Sequence, residues 1–404
     1  MTASKSYFAG THRTVAPADT VERLKPLMSD FGITRIADVT GLDRIGIPVV
    51  MVVRPNSRSV AVSQGKGLDI ASAKASGLME AIETWHAERL VLPLKLASYR
   101  ELSADHPVVQ IDRLPPLEDS LFHRDQPILW IEGKNLFDRQ PVWLPYEMVH
   151  TNYNIPRPTG HGCFPASTNG LASGNHILEA TCHAICEVIE RDASTLWHHL
   201  DPDERWATRI DVDTIDDPYC GELLRILAQA ELEPVIWNMT TDTGVPAFYC
   251  LLLDENTGDG HMGAGAGCHP AREIALSRAL TEAVQTRTTY IAGSRDDLTP
   301  AEFSEAGRAE KYRYAERMME GGDGQGNFQE IFSKLATTME DDIEFVLAGL
   351  AAAGIDEVAV IDMTSAKYEI PVVRVVIPGL EAPHDDDGYI PGPRALSVVE
   401  ASQP

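Results

Sequence analysis

The sequence predicts a mixed α/β fold with a sheet core and three helices that converge on one site. Two observations lead to this prediction. Short β-rich apolar runs bounded by turn formers recur along the chain, and three amphipathic helical segments, each entered through glycines, repeat a common pattern. The chain has 404 residues and no low-complexity linker, so we expect a single composite domain over residues 1–404.

Three apolar runs predict strands of the core. They consist mainly of β-branched and aliphatic residues, which suit a pleated and buried surface, and turn-forming residues flank them. The runs cover residues 48–53, 246–253 and 372–377.

The three helical segments are internal repeats of one another. Residues 65–90 begin with a glycine turn and continue as an amphipathic helix, and residues 173–199 repeat this design when Gly67 is placed on Gly174, an offset of 107. A third copy begins at Gly267 and aligns at an offset of 95, which places Glu187 on Glu282. We therefore expect three helices with one plan, each presenting a polar stripe.

The remaining segments are predicted to lie outside this core. Residues 91–160 are rich in proline and turn residues and predict a peripheral arm. Residues 294–330 predict a helical excursion with a loop, and residues 385–404 predict a C-terminal tail.

Composition excludes several classes of function. The chain has 60 Asp and Glu against 34 Lys and Arg, a formal net charge of −26, so it lacks the basic field that nucleic-acid binding requires. No apolar run is long enough to span a membrane, and the N-terminal residues lack the apolar stretch of a secretion signal. Six scattered cysteines do not make a disulfide framework. We expect a cytoplasmic protein with reduced thiols.

Acidic side chains at helical spacing predict a metal site. At 100° per residue, Glu179, Glu187 and Glu190 lie along one stripe of the second helix, while Glu80 and Glu83 are one turn apart on the first. If the three helices converge, about six carboxylates face one space, which is tolerable only when cations occupy it. Oxygen ligands select magnesium or calcium, and magnesium commonly bridges carboxylates to the phosphates of a nucleotide.

Phosphate contacts are predicted beside these acids. We expect the turns Gly65-Lys66-Gly67 and Gly174-Asn175 to leave backbone N–H groups free at helix starts. Arg191 and Arg278 lie next to acidic positions, and guanidinium groups in such a setting fit phosphate binding. Neither the Walker pattern nor a dinucleotide-binding glycine pattern occurs.

The same residues have simpler interpretations. A single E-x-x-E pair on a helix is usually a solvated face, and Cys182 and Cys186 are more typical of small buried thiols than of a soft-metal pair. Cys163 and Cys268 lie in turns beside histidines, but no base with an orienting partner identifies either as a nucleophile, so the catalytic residue is unassigned. Threefold repetition of the acidic pattern favours the metal interpretation.

The repeats also resemble the three nucleotide-binding motifs of the YcaO superfamily. The matching segments are SQGKGLDIASAKASGLMEAIE, NGLASGNHILEATCHAICEVIERDA and GAGCHPAREIALSRALTEAVQTR, and the similarity extends from GTHRTV to VVIPGLE. The resemblance implies a YcaO-type fold and an enzyme that uses ATP and Mg2+ to activate a peptide backbone amide by phosphorylating its oxygen. A neighbouring Cys, Ser or Thr side chain as nucleophile gives an azoline, and external sulfide gives a backbone thioamide.

The resemblance implies site residues position by position. Those that look like magnesium ligands are Glu80, Glu83, Glu187, Glu190 and Glu282. Those that look like ATP contacts are Arg13, Thr20, Lys66, Asn175, Glu179, Arg191 and Arg278. Position 13 often carries lysine in the family.

The subtype most similar to this chain is the stand-alone YcaO protein that works with a TfuA partner in thioamide formation. The segments that carry this similarity are GITRIADVTGLDRIGIPVV, VVIPGLE and YIPGPRA. Azoline-forming members often end in a Pro-x-Pro-x-Pro tail, whereas eleven further residues follow Pro391-Gly392-Pro393 here.

We therefore expect a thioamide-forming enzyme that acts on a peptide or protein substrate with a TfuA-like partner. Leader recognition would need a separate protein, and the family implies a homodimer. An azoline-forming cyclodehydratase and a non-catalytic nucleotide-binding accessory protein are the alternatives.

Overall fold

The computed structural model describes residues 3–254, 261–295, 297–321, 324–385 and 388–401. Asp386, Asp387 and residues 402–404 of the predicted tail lie outside the described residues, as do residues 296, 322 and 323 of the predicted helical excursion.

Helices and strands alternate along most of the chain. The helices are α1 Pro17–Leu24, α2 Ile70–Glu88, α3 Tyr99–Asp105, α4 Ile177–His199, α5 Pro202–Ala207, α6 Pro218–Gln229, α7 Arg272–Ala292, α8 Glu305–Met319, α9 Met339–Ala352 and α10 Pro393–Ala401. The strands are β1 Arg35–Asp38, β2 Val49–Val53, β3 Val62–Lys66, β4 Leu94–Ala97, β5 Ile128–Asn135, β6 Pro141–Pro145, β7 Leu171–Ser173, β8 Pro234–Asn238, β9 Ala247–Leu252, β10 Gly263–Cys268, β11 Ala359–Asp362 and β12 Val372–Val376. The predicted mixed fold is confirmed, and β2, β9 and β12 coincide with the three predicted strands.

The chain divides into two compact units. The six-stranded unit comprises Met1–Ala3, Ile82–Leu200 and Thr338–Pro404, and the two-sheet unit comprises Ser4–Ala81 and Asp201–Thr337. Each unit is built from separated stretches of sequence, so no single linker divides the chain. The single composite domain remains a prediction.

The six-stranded unit contains one antiparallel sheet with strand order β4-β5-β11-β12-β7, and β6 also pairs with β5. Helix α4 packs on β7 and β12, and α9 and α10 pack on α4. Every residue of β12 is buried. Helix α4, which carries four of the predicted site residues, therefore lies directly on the sheet.

The predicted peripheral arm over residues 91–160 is wrong. Strands β4, β5 and β6 belong to the sheet, and Trp130, Ile131 and Leu144 are buried. Prolines of this segment lie between strands and at both ends of β6, an edge strand where proline is tolerated, so a proline-rich composition does not exclude a sheet here. The apolar run Ile128–Ile131 at the start of β5 is the signal of a strand that is buried in its first half.

The two-sheet unit contains two antiparallel three-stranded sheets, β1-β2-β3 and β10-β9-β8. Helix α7 packs on β10 and β9, and the core between them includes Phe248, Leu252, Leu276 and Leu280. The predicted excursion over residues 294–330 contains α8. None of the helices in the described ranges has both the length and the apolarity to cross a membrane.

The predicted repeats are confirmed as three strand-to-helix connections, β3 to α2, β7 to α4 and β10 to α7. A Cβ on Gly65 would lie 2.0 Å from the Ala73 carbonyl oxygen, and a Cβ on Gly267 would lie 2.0 Å from that of Ala275. The predicted turn at Gly65-Lys66 is wrong, because both residues belong to β3. Gly65 does not form a turn; its lack of a side chain allows helix α2 to approach strand β3 closely.

Asp192 on α4 anchors the C-terminal helix. Its carboxylate is fully buried and accepts hydrogen bonds from Arg394 Nε at 2.9 Å, Arg394 Nη2 at 3.0 Å and the Glu381 amide at 2.9 Å. Glu381 in turn accepts from the amides of Gly392 and Ala395. The described part of the predicted tail is therefore held on α4 as helix α10.

We expect Arg394→Met to destabilise the protein more at high pH than at low pH. Burial raises the pKa of Asp192 to about 6, against the opposing effect of Arg394. A carboxyl group with a raised pKa in the folded state favours folding below its unfolded pKa, and this contribution is lost as the pH rises through about 6. Removal of Arg394 leaves the carboxylate buried without its cation, which should cost about 3 kcal/mol near pH 8.

Guanidinium chloride unfolding near pH 5 and near pH 8 measures this difference. Arg225→Met is the matched control, because Arg225 forms an exposed ion pair with Glu222. An equal loss of stability at both pH values would show that Arg394 does not neutralise Asp192.

Candidate functional site

Glu83 is tied to the strand that leads into α4. Its Oε1 accepts hydrogen bonds from the Ser173 amide at 2.8 Å and from Ser173 Oγ at 2.7 Å. Ser173 is the last residue of β7, two positions before Asn175. One predicted metal ligand therefore lies beside the entry to the helix that carries two others.

Helix α4 and its entry carry five of the predicted site residues. These are Asn175, Glu179, Glu187, Glu190 and Arg191. The Asn175 amide donates to Glu179 Oε1 at 3.3 Å, and Arg191 Nη2 lies 4.0 Å from Glu190 Oε1. Glu179 and Glu190 are buried, whereas Glu187 is half-buried. The structure thus brings acid, amide and guanidinium groups to one helix, as the sequence predicts.

The prediction of free backbone N–H groups at the Gly174-Asn175 turn is wrong. The Gly174 amide donates to the Pro371 carbonyl at 3.1 Å, and the Asn175 amide donates to Glu179. Both donors are used because the turn connects β7 to α4 within a buried layer, where an unsatisfied N–H group is costly. Phosphate binding here would have to use side chains or displace these bonds.

Arg374 is a buried cation that the sequence reasoning missed. It lies on β12, is 3% exposed, and donates through Nη2 to the Ser167 carbonyl at 2.8 Å. Among the described residues, its Nε and Nη1 contact no hydrogen-bond partner. Burial lowers the pKa of Arg374 to about 10, while Tyr153 and Glu187 oppose the shift. Arg374 therefore places a positive charge close to one predicted metal ligand.

In the two-sheet unit, Glu80 and Glu282 are neighbours. Glu80 Oε1 accepts from the Gln64 amide at 3.2 Å, and Glu282 Oε1 lies 3.5 Å from the Ala266 amide. Lys66 forms an ion pair with Glu282. The repeat thus places two acids at equivalent positions above two strands, with one lysine beside them.

The burial and charges of Glu80 and Glu282 are compatible with binding of a cation. Glu80 keeps some exposed surface, but the protein atoms around its carboxylate raise its pKa to about 7, and the negative charge of Glu282 adds to the shift. The Gln64 amide and Lys66 act in the opposite direction. A divalent cation would favour the ionised form of both acids, and carboxylate oxygens are ligands that magnesium accepts.

The described residues contain no preformed group of three or more His, Cys, Asp or Glu side chains that could hold a metal ion. Within each unit, the predicted ligands instead contact backbone amides, a serine or a lysine. Convergence of all five acids on magnesium remains a prediction.

Cationic side chains gather around His12 in the two-sheet unit. Lys5 Nζ lies 3.3 Å from His12 Nδ1, and the ring of His12 contacts that of His269. Burial, together with the positive charges of Lys5, Arg278 and Arg13, lowers the pKa of His12 to about 4. Arg13 and Arg278 are predicted ATP contacts, so the structure brings these two together and adds Lys5, which the sequence reasoning missed.

Other candidate groups take structural roles. Thr20, a predicted ATP contact, is buried in α1, and its hydroxyl donates to the Ala16 carbonyl at 3.2 Å. All six cysteines are reduced and buried. Burial raises the pKa of Cys163 to about 11, which disfavours a thiolate nucleophile.

Sequence comparison identifies relatives over nearly the whole chain. A family profile described as YcaO cyclodehydratase, ATP- and Mg2+-binding, matches residues 64–381. A protein from Rhizobium leguminosarum bv. trifolii, described as an uncharacterized protein in the tfuA 3' region, is 33% identical over 97% of this chain and 94% of its own. A protein from Methanothermobacter thermautotrophicus is 35% identical over 91% of this chain and 95% of its own.

Solved structures share the fold. The structure of YcaO from Methanopyrus kandleri bound with AMPPCP and Mg2+ matches with a TM-score of 0.76 and 22% identity, over 96% of this chain and 98% of that chain. A heterocyclase in complex with substrate and cofactor matches with a TM-score of 0.79 and 21% identity. The match covers 95% of this chain and about half of the heterocyclase, 54%.

We expect Arg374→Met to raise thermal stability. The guanidinium is buried with one hydrogen bond, and replacement of such a charge by an apolar side chain of similar length removes a desolvation cost. Each kcal/mol gained should raise the melting temperature by about 1 °C, because the entropy of unfolding scales with the 404-residue length. Calorimetry measures the effect, with Arg100→Met, an exposed arginine paired with Asp125, as control. A melting temperature lowered by several degrees would mean that Arg374 is compensated by anions in the folded protein.

Proposed function

Since the chain belongs to the YcaO family, whose cofactors are ATP and Mg2+, we propose that it activates a peptide backbone amide by phosphorylation of the amide oxygen. The product we propose is a thioamide on a peptide or protein substrate, formed together with a TfuA-like partner. The observation that carries the proposal is the threefold repeat, which places Glu80, Glu187 and Glu282 at the same position, ten residues after the first residue, of three separate helices.

We assign the five acids at the repeat positions to magnesium. They are Glu80, Glu83, Glu187, Glu190 and Glu282. Their oxygens suit a hard divalent cation, and the raised pKa of Glu80 supports this role because a cation would offset the cost of burying its charge and, to a smaller extent, the repulsion from Glu282. Ser173 supports the role of Glu83, since two hydrogen bonds fix the orientation of its carboxylate.

The nucleotide contacts are assigned to cationic and polar side chains. They are Arg13, Thr20, Lys66, Asn175, Glu179, Arg191 and Arg278. Arg13, Arg278 and Lys5 all lower the pKa of His12, so positive charges lie close together there. This supports binding of an anionic ligand in that part of the two-sheet unit. Lys66 already neutralises Glu282, so it could contact a phosphate only by weakening that ion pair.

When bound, magnesium and ATP supply the phosphoryl group that converts a poor leaving group, the amide oxygen, into a good one. The residues of this chain would contribute charge neutralisation and positioning. Arginines and lysine would hold anionic oxygens, and the acids would hold the metal in a fixed arrangement.

The thioamide product rests on the relative encoded in a tfuA 3' region, which matches this chain almost from end to end. The packing of α10 against Asp192 is a second argument. Azoline-forming members often end in a Pro-x-Pro-x-Pro tail, whereas here the described residues that follow Pro393 form a helix held on α4. The alternative is azoline formation, which the fold similarity to a heterocyclase favours. A separate leader-binding protein and a homodimer also belong to the proposal.

Glu187→Gln should reduce ATP hydrolysis by about 100-fold or more, because a neutral amide is a poor magnesium ligand. Folding should be unaffected or improved, since one half-buried charge is removed. Release of inorganic phosphate with magnesium, ATP, peptide and partner measures the effect, with Glu316→Gln on the exposed face of α8 as the matched control. Unchanged hydrolysis in the Glu187→Gln variant would exclude Glu187 as an essential ligand.

The mass of the product separates the two activities. With ATP, a sulfide source, a TfuA-like protein and a peptide, exchange of oxygen for sulfur should add about 16 daltons to the peptide, whereas cyclisation would remove about 18 daltons as water. Mass spectrometry with and without sulfide makes the measurement. A loss of water that needs no sulfide would replace the thioamide assignment by the azoline one. ATP binding without hydrolysis and without any modified peptide would favour the accessory role.

A further inference from the structure

Arg374 carries a positive charge that has no carboxylate partner in the described part of the six-stranded unit. It lies on the buried strand β12, and within the described ranges its one hydrogen bond joins Nη2 to the Ser167 carbonyl at 2.8 Å. Its Nε and Nη1 are buried and meet no acceptor among the same residues. A cation held in this way is costly in a folded protein, so its presence calls for an explanation beyond packing.

The guanidinium lies close to the middle of α4, where Glu187 is located. Helix α4 packs on β12, and the two elements meet around Gly170. A Cβ on Gly170 would lie 2.3 Å from the Val375 carbonyl oxygen and 2.9 Å from a methyl carbon of Val188. Val375 and Val188 are the sequence neighbours of Arg374 and Glu187. Burial lowers the pKa of Arg374, and the negative charge of Glu187 opposes this shift, as expected of two groups that lie near each other.

His150 is a second buried donor in this part of the unit. It is 1% exposed, and its Nδ1 accepts from the Asn152 amide at 3.1 Å, so its Nε2 carries the ring proton. That Nε2 contacts no acceptor in the described ranges. Burial and, to a smaller extent, positive charges that include Arg374 lower the pKa of His150 to about 4, so the ring is neutral near neutral pH. The positive charge to be balanced is therefore that of Arg374.

The assignment of Glu187 to magnesium indicates which anion would balance Arg374. A bound magnesium ion would neutralise Glu187, so the guanidinium would then need a different negative partner. In the proposed function the anion that accompanies magnesium is the triphosphate, whose two outer phosphoryl groups the metal commonly bridges. The terminal phosphoryl group carries more negative charge than the inner ones, so it is the stronger partner for a buried guanidinium.

We infer that Arg374 contacts the terminal phosphoryl group of ATP and gives up its hydrogen bond to the Ser167 carbonyl in doing so. A hydrogen bond from a cation to an anionic oxygen is stronger than one to a neutral carbonyl, so the exchange favours the nucleotide-bound state. Ser167 lies between Met148 and Leu171, where the chain forms no helix or strand, so it can move without breaking secondary structure. The inference rests on the proposed function, because it takes ATP and magnesium as ligands.

Isothermal titration calorimetry with excess magnesium compares the binding of ADP and AMPPCP. AMPPCP is an ATP analogue that resists hydrolysis, because a methylene group joins its two outer phosphorus atoms. The native protein should bind AMPPCP at least about tenfold more tightly than ADP, and Arg374→Met should lower this ratio by at least about tenfold. The affinity for ADP should stay within about twofold of the native value, because the inner phosphoryl groups make other contacts. Equal native affinities, or an unchanged ratio in the variant, would overturn the inference.

Two further variants separate this contact from packing and from net charge. Arg374→Gln keeps an N–H donor without the charge and should lose the same discrimination as Arg374→Met. Arg100→Met removes an exposed arginine paired with Asp125 and should bind both nucleotides as the native protein does. Thermal melting checks that each variant folds. A native ratio in Arg374→Gln, or an equal loss in Arg100→Met, would overturn the inference.

The outcome is separable from that of the proposed function. If the native protein bound neither nucleotide, the proposed function would be refuted together with this inference. If it bound both and the Arg374 variants kept the native ratio, this inference alone would be refuted. Loss of discrimination in the Arg374 variants of a protein that modifies no peptide would support the phosphoryl contact and refute the proposed amide activation.

Discussion

The close approach of helices to glycine-bearing strands is the constraint on which the predicted site depends. Along β10, a Cβ on Gly263, Gly265 or Gly267 would lie 2.1, 2.3 or 2.0 Å from the carbonyl oxygens of Ala283, Ala279 and Ala275. Alternate residues of the strand thus meet successive turns of α7. Any side chain at these strand positions would force the helix away from the sheet, because backbone atoms cannot move aside as the end of a flexible side chain can.

This contact fixes the position of the acids. Glu80 reaches the amide of Gln64, and Glu282 lies over the amide of Ala266, so the same register recurs in both repeats of the two-sheet unit. Backbone amides partly offset the charge of each carboxylate, but the crowding that orders them also removes water. This burial raises the pKa of Glu80, and a bound cation would favour the ionised carboxylate.

The sequence predicted the repeats because glycine and glutamate recur at fixed separations. The prediction of a turn at Gly65 was wrong because glycine is common both in turns and at close contacts between a strand and a helix. Only the position of Ala73 in the structure distinguishes these two roles. The sheet strands within residues 91–160 were missed because frequent prolines favour a loop in a composition-based interpretation, although proline is tolerated at the ends of an edge strand such as β6. Lys5 and Arg374 belong to no repeated pattern, so only the three-dimensional contacts could reveal them.

The distribution of charge distinguishes structural ion pairs from the predicted site. Arg287 is 3% exposed in its side chain and contacts Asp43 at 2.8 Å and Asp254 at 3.0 Å, so opposite charges are matched within the core of the two-sheet unit. At the predicted site the match is less complete, because Glu80 and Glu282 share Lys66, and Lys5, Arg13 and Arg278 lie around His12. Burial and, to a smaller extent, Glu282 raise the pKa of Glu80, and burial together with Lys5, Arg278 and Arg13 lowers that of His12. Clusters of one sign are costly in a folded protein unless a ligand of opposite sign compensates them. Adjacent acids and adjacent bases in one unit are therefore the arrangement that a metal cation with an anionic nucleotide would stabilise.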